Sequence, residues 1–372
     1  MKKLTIAAAA LFSASALYAA ELNGISAADI RALDLAVPAA VLQPVTLEEV
    51  QGKTGNVPQA AERIWEMMRW EHPSALQPGC EPARYSPPAG VKYRGLAILL
   101  HGFSACPQQY EQLGPQLAQA GFEVFVPLFP GHGAMPLQLS PRIDNVDFVP
   151  RSPAGWGAEL AQINQLAALF KGQKVLVGLS QGANMALRAT QTAPDLYDKV
   201  VAISPKLRNE TSLFSGLFSN PVHILNIDEY ILGMRSGWKS CEEVDSLPPV
   251  NRAGFCNMEN RHAIAMLDFG KIVIDGAAVK TRAIVQMVLS HDDDGTCNRA
   301  DEEVLNSMHG AGSTAKACIM PEGVPHAMFP LQDSPYEKPW VPPLFRAVEN
   351  FLTRGAFVPG SADTVTDCAL SW

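Results

Sequence analysis

The chain has 372 residues, 47% of them hydrophobic and 18% charged, with a formal net charge of −8. That composition is ordinary for a globular protein with a substantial core, and the length suits one large domain with an insertion, or two domains. The acidic balance and the lack of a Lys/Arg-rich block argue against a nucleic-acid partner, whose phosphates need a basic face.

The chain opens MKKLTIAAAALFSASALYAA. Lys2 and Lys3 form a positive head, Leu4 to Leu17 a short apolar stretch, and small residues follow. This predicts a cleavable export signal over 1–20, cut after Ala16 or near Ala20, because a membrane span needs about 20 apolar residues. The mature chain is therefore expected in the periplasm or outside the cell. No later segment has the length and apolarity of a span.

An extension over 21–94 follows. Within it, PQAAERIWEMMRWEH (58–72) has Ala61, Ile64, Trp65 and Met68 at helical spacing, and Pro73 to Gly90 reads as loop. From Gly95 the pattern sharpens. GLAILLHGF (95–103) predicts a buried strand, PQQYEQLGPQLAQAGF an amphipathic helix, and FEVFVPLF (122–129) a second strand closed by Pro130-Gly131-His132-Gly133. A helix is expected over 156–172, then the strand KVLVGLS, a helix from Gly182 to Tyr197, and the strand KVVAISP (199–205). Apolar strands alternating with helices predict an α/β protein with a parallel sheet covered on both faces.

The alternation lapses over 206–280, which reads as a lid or cap inserted above the carboxyl edge of the sheet. Its apolar residues Phe214, Leu217, Phe218, Tyr230, Ile231, Leu232 and Met234 suit a greasy substrate, or simply packing of the lid on the body. Core elements resume with TRAIVQMVLS (281–290), KACIMPE (316–322) and the closing helix PPLFRAVENFL (342–352). The core is thus expected to comprise 95–205 and 281–372.

Gly178-Leu179-Ser180-Gln181-Gly182 lies between an apolar strand and a helix. A serine in such a sharp turn presents its oxygen above the sheet, and the two glycines relieve crowding there. A serine hydroxyl is a weak nucleophile that needs a base, a group orienting the base, and donors for the developing oxyanion. Of eight His, His326 follows the last predicted strand and precedes the closing helix, the position for the base. His101 and His132, in glycine-rich turns, suit loop-holding roles. The acid is expected in Ser290-His291-Asp292-Asp293-Asp294-Gly295, which leaves three candidates. The oxyanion donors are expected to be the amide of Gln181 and an amide of the loop after GLAILLHG, that of Phe103 ahead of Ser104.

LLHGF (99–103), FPGHG (129–133), VGLSQG (177–182) and HAMFP (326–330) together resemble the α/β-hydrolase superfamily, most of all its monoglyceride-lipase and carboxylesterase branch. The resemblance spans about Gly95 to Leu352 and lapses over the insertion. It implies Ser180 as nucleophile, His326 as base, and Phe103 and Gln181 as oxyanion amides. The family's G-x-x-D-x-x-V frame fits Ser290 to Thr296 and selects Asp293. A frame ending at Cys297 selects Asp294 instead. The residues at 206–280 match the family's lid in place and length.

The expected activity is that of a serine ester hydrolase of esterase or lipase type, needing no metal or organic cofactor. Its substrate would be a small or apolar ester, with lipid and polyester as candidates. A peptidase, a thioesterase or an acyltransferase would use the same residues, and a silent binding protein would be expected to have lost one of them. Seven cysteines in an exported chain point to disulfides with at least one thiol left over. Cys241–Cys256 is the first expected pair, from closeness along the chain, and Cys297–Cys318 the second.

Overall fold

The computed structural model describes residues 65, 76–134, 146, 148–208, 235–237, 253–255, 257–291, 293, 296–329, 338–357 and 366–368. The expected export signal, the apolar residues 214–234 of the expected lid and the expected Cys241–Cys256 pair lie outside them. Of the helix expected over 58–72, Trp65 is described. It is helical and buried, with its ring edge-on to Phe125 at 4.8 Å.

Eight strands form one sheet: β1 (Ala83–Tyr85), β2 (Gly95–Leu100), β3 (Phe122–Val126), β4 (Gln173–Leu179), β5 (Lys199–Ile203), β8 (Ile284–Leu289), β9 (Ala315–Ile319) and β10 (Thr366–Asp367). Two short strands between them in sequence, β6 (Arg235–Gly237) and β7 (Asn257–Glu259), pair antiparallel as a separate ribbon. The spatial order is β1-β3-β2-β4-β5-β8-β9-β10, with β1 antiparallel to β3 and every other pair parallel.

Why these segments become central strands is visible in their side chains. β2, β3 and β5 are buried at every position, as strands covered on both faces must be. Alternate residues serve opposite layers. Leu96, Ile98 and Leu100 pack with α2 (Pro153–Leu169), α3 (Gln181–Thr192), α4 (Asn260–Asp275) and α5 (Asn298–Gly310). Ala97 and Leu99 pack with α1 (Leu113–Gln119) and α6 (Val341–Arg354) on the other face.

Several expectations are adjusted. The predicted helix from Pro107 is a 3-10 turn, Pro107–Tyr110, followed by α1, and the second predicted strand ends at Val126. Within the stretch read as a lid, α4 packs against α2 and α3 and buries Met266, Phe269 and Val273 in the main core. The expected Cys297–Cys318 disulfide is corrected. Cys318 bonds Cys368, because β10 lies beside β9 with Thr366 opposite Cys318, while Cys297 keeps a free thiol. A further disulfide joins Cys80 to Cys106.

The order β3-β2-β4 places a topological switch at β2. The chain leaves β2 for β3 on one side and returns to β4 on the other, so the loops after β2 and β4 diverge at the carboxyl edge, where sheets of this kind commonly bind ligands.

Candidate active site

Ser180 follows β4 directly and sits at φ +56°, ψ −115°, a conformation few non-glycine residues adopt. The surroundings hold it there. Its N–H donates to the Ile203 carbonyl at 2.8 Å, and its carbonyl accepts the first bonds of α3 from Ala183 and Asn184 at 3.0 and 3.1 Å. The turn is so tight that a Cβ on Gly178 would meet the Gly182 carbonyl oxygen at 2.1 Å. One on Gly182 would meet the Leu100 carbonyl oxygen at 2.0 Å. Both glycines are therefore required by backbone contact. Leu179 and Gln181 are buried while Ser180 is partly exposed.

Three loops bring the other groups to the same edge. His326 follows β9 and Asp293 follows β8. Ser180 Oγ lies 2.8 Å from His326 Nε2, and His326 Nδ1 lies 2.9 Å from Asp293 Oδ2. A carboxylate can only accept, so Nδ1 carries the ring proton and Nε2 accepts from the serine hydroxyl. Asp293 is 1% exposed at its side chain and His326 19%, so the carboxylate is sealed while the imidazole keeps some contact with solvent.

Each loop is anchored. Asp293 Oδ1 accepts the Thr296 N–H at 2.8 Å, and Thr296 Oγ1 donates to the Pro205 carbonyl at 2.9 Å. Ser290, which stands where the hydrolase frame has glycine, donates its hydroxyl to the Val324 carbonyl and so ties the Asp293 loop to the His326 loop. Lys338 Nζ donates to the Ala327 carbonyl at 2.9 Å, and Trp340 Nε1 to that of Met328 at 3.0 Å, fixing the far side of the His326 loop. One turn into α5, Asp301 is buried with neither carboxyl oxygen partnered among the described residues. Burial, then the charge of Asp293, holds its carboxyl well above the usual range.

Gln181 directly follows Ser180 in the chain, and Phe103 lies in the loop after β2. Gln181 opens α3, so its N–H has no acceptor within the helix and stands at the positive end of the helix dipole. The Phe103 N–H has no partner among the described residues. The Gly102 N–H is taken by Gln109 Oε1 at 2.8 Å, and a Cβ on Gly102 would lie 3.7 Å from Ser180 Cβ. His101 bridges loops, donating from Nδ1 to the Gly102 carbonyl at 2.8 Å and accepting the Phe129 N–H at Nε2 at 3.0 Å. His132 lies beneath, its ring 5.2 Å from that of His101. Burial first, with His262 nearby as a lesser cause, holds its pKa down at about 4. Both rings hold loops and neither touches Ser180 Oγ.

The structure thus gathers Ser180, His326, Asp293, Phe103 and Gln181 at one edge. Asp294, the other frame's choice, lies outside the described residues. Thr296, Ser290 and Gln109 were not anticipated. Thr296 carried a signal, since an Asp commonly accepts the N–H of a residue two or three positions on, as at a helix N-cap. Gln109 carried none. Among the described residues, no group of three His, Cys, Asp or Glu is placed to hold a metal ion.

The family model described as "Alpha/beta hydrolase family" matches residues 97–338. The chain belongs to the alpha/beta hydrolase family. Among solved structures, this hydrolase is similar to one reported for the metagenome-derived lipolytic enzymes LipS and LipT. Identity is 20%, covering 75% of this chain and 99% of that one, with a TM-score of 0.52. The Paleococcus ferrophilus monoacylglycerol lipase is 18% identical over 73% of this chain and 97% of its own, also at TM-score 0.52. A carboxyl esterase from Bacillus coagulans is 14% identical over 75% and 94%, again at 0.52. At such identities the likeness establishes the fold. Curated protein sequences offer no match.

Proposed function

We propose that the protein is an exported serine carboxylic ester hydrolase of esterase or lipase type. The observation that carries this reading is the continuous relay from Ser180 Oγ through His326 to Asp293. His326 Nε2 takes the hydroxyl proton as Ser180 Oγ attacks the ester carbonyl. Asp293 holds the ring and stabilises the imidazolium. The N–H groups of Phe103 and Gln181 stabilise the tetrahedral oxyanion. His326 returns the proton to the departing alcohol. Water, deprotonated by the same ring, then attacks the acyl-enzyme and releases the acid.

The similar solved structures include a monoacylglycerol lipase and a carboxyl esterase, which favours small or apolar esters as the substrate class. Export is supported by the leader-like opening and by two disulfides, bonds that persist in oxidising compartments. No described helix is long and apolar enough to cross a membrane.

The test is hydrolysis of p-nitrophenyl esters of increasing acyl length by wild type and Ser180→Ala. The variant is expected to lose at least about a thousandfold in kcat. Undiminished turnover by Ser180→Ala sinks the mechanism. Parallel assays with thioesters and peptides separate this reading from thioesterase and peptidase activity on the same residues.

A further inference from the structure

The two amides assigned to the oxyanion under the proposed function are held in different ways. That of Gln181 is fixed by the start of α3. That of Phe103 belongs to an irregular loop, His101 to Cys106, in which Ser104 has φ +66°. Such a loop has no regular ladder to fix its donor, so its shape depends on what surrounds it.

Three outside segments converge on it. Cys106, at its end, is bonded to Cys80, and both are fully buried. Ala253–Phe255 lies along it. The Phe255 N–H donates to the Ser104 carbonyl at 3.2 Å, and the Phe255 ring stands edge-on to Phe103 at 5.2 Å. Gly254 has φ +115°, and a Cβ there would meet the Ser104 carbonyl oxygen at 2.0 Å, so only glycine lets the strap this close.

Gln77 ties the segments together. Its own N–H donates to the Gly133 carbonyl at 2.7 Å, and its Nε2 donates to that of Ala134 at 2.8 Å. Its Oε1 accepts the Gly254 N–H at 3.0 Å. One buried amide side chain therefore connects the Gly131–Ala134 turn to the strap, three residues before the cysteine that pins the loop. A Cβ on Gly133 would meet Cys80 Cβ at 2.4 Å, so the turn also rests on the disulfide.

We propose that Gln77, the Cys80–Cys106 disulfide and the Ala253–Phe255 strap are positioning elements for the Phe103 amide, and so set turnover while leaving substrate affinity alone. The proposal rests on the serine ester hydrolase reading. It follows from geometry: an oxyanion donor acts on the transition state, and a shift of about 1 Å in such a group costs on the order of a hundredfold. It also implies that the enzyme reaches full activity only after Cys80 and Cys106 are oxidised.

The test uses the full chain as wild type, Gln77→Ala, Gln77→Glu and Cys80→Ser/Cys106→Ser. Amide hydrogen exchange over 101–106 is measured beside steady-state hydrolysis of p-nitrophenyl butyrate. Gln77→Ala and the cysteine pair variant are expected to exchange faster over 101–106. Their kcat should fall roughly tenfold to a hundredfold with KM within about twofold, in protein still folded at the assay temperature. Gln77→Glu keeps the acceptor for the Gly254 N–H and should recover part of kcat. If the cysteine pair variant does not fold, Gln77→Ala decides alone. Folded Gln77→Ala with unchanged exchange and kcat, or with a loss confined to KM, overturns the proposal. Wild-type rates from Ser180→Ala would instead defeat the serine reading, and the exchange comparison still judges the brace.

Discussion

Ser180 adopts φ +56° because its neighbours leave no alternative: the Ile203 carbonyl takes its N–H, α3 starts on its carbonyl, and Gly178 and Gly182 are pressed on backbone. A strained serine costs of order 1–3 kcal/mol and persists only where the surroundings over-determine it. The two glycines, the strand before and the helix after are all local, so this residue was legible in the sequence. The acid was less so, because three adjacent Asp share one composition and only loop geometry distinguishes them. That geometry pairs Asp293 with His326, with Thr296 occupying its second oxygen. Asp293→Asn is therefore expected to lower kcat by about a thousandfold or more, by analogy with other Ser-His-Asp enzymes, and Asp294→Asn to leave it within a few-fold. A larger loss from Asp294→Asn would move the acid by one residue.

At the scale of elements, α2 carries an unusual load. Glu159 is buried, its Oε1 has no partner among the described residues, and burial pushes its carboxyl up to about 8. In the unfolded chain the same carboxyl titrates in the ordinary Glu range. Between these values the unfolded state releases its proton while the folded state keeps it. Glu159 thus favours folding at low pH, and that contribution is lost as pH rises toward 8. Glu159→Gln should gain stability over wild type as pH rises from 5 to 8, by up to about 1.4 kcal/mol per pH unit. Urea denaturation at both pH values checks this, and a difference that stays constant or shrinks contradicts it. His132 acts in the opposite sense. Its pKa is depressed to about 4, so its contribution is lost as pH falls from the ordinary imidazole range toward that value. α5 was missed although Ala300, Val304, Leu305 and Met308 fall at helical spacing, because many polar residues surround them. α4 was absorbed into the expected insertion, yet Met266, Phe269 and Val273 make it part of the core.

For the whole molecule, the parallel sheet and its two helical layers followed from apolar runs and their alternation. Disulfide pairing did not, because it depends on which strands become neighbours. β10 finds β9 across 50 residues of chain, and no local pattern announces that register. The two described disulfides should differ in consequence. Removing Cys318–Cys368 releases the carboxyl-terminal edge strand, far along the sheet from Phe103. Cys318→Ser/Cys368→Ser should lose about 4 kcal/mol on loop-entropy grounds, read by denaturant unfolding, with kcat and KM nearly unchanged at 25 °C. A large fall in kcat from this pair would show that edge order reaches the active site.

The central claim is that Ser180 is the nucleophile, activated by His326. It is tested most directly by treating the folded protein with a fluorophosphonate probe and mapping the adduct by mass spectrometry. A single adduct on Ser180, lost or greatly slowed in His326→Ala, is the predicted result. An adduct on another serine, or labelling of Ser180 that proceeds unchanged without His326, would contradict it.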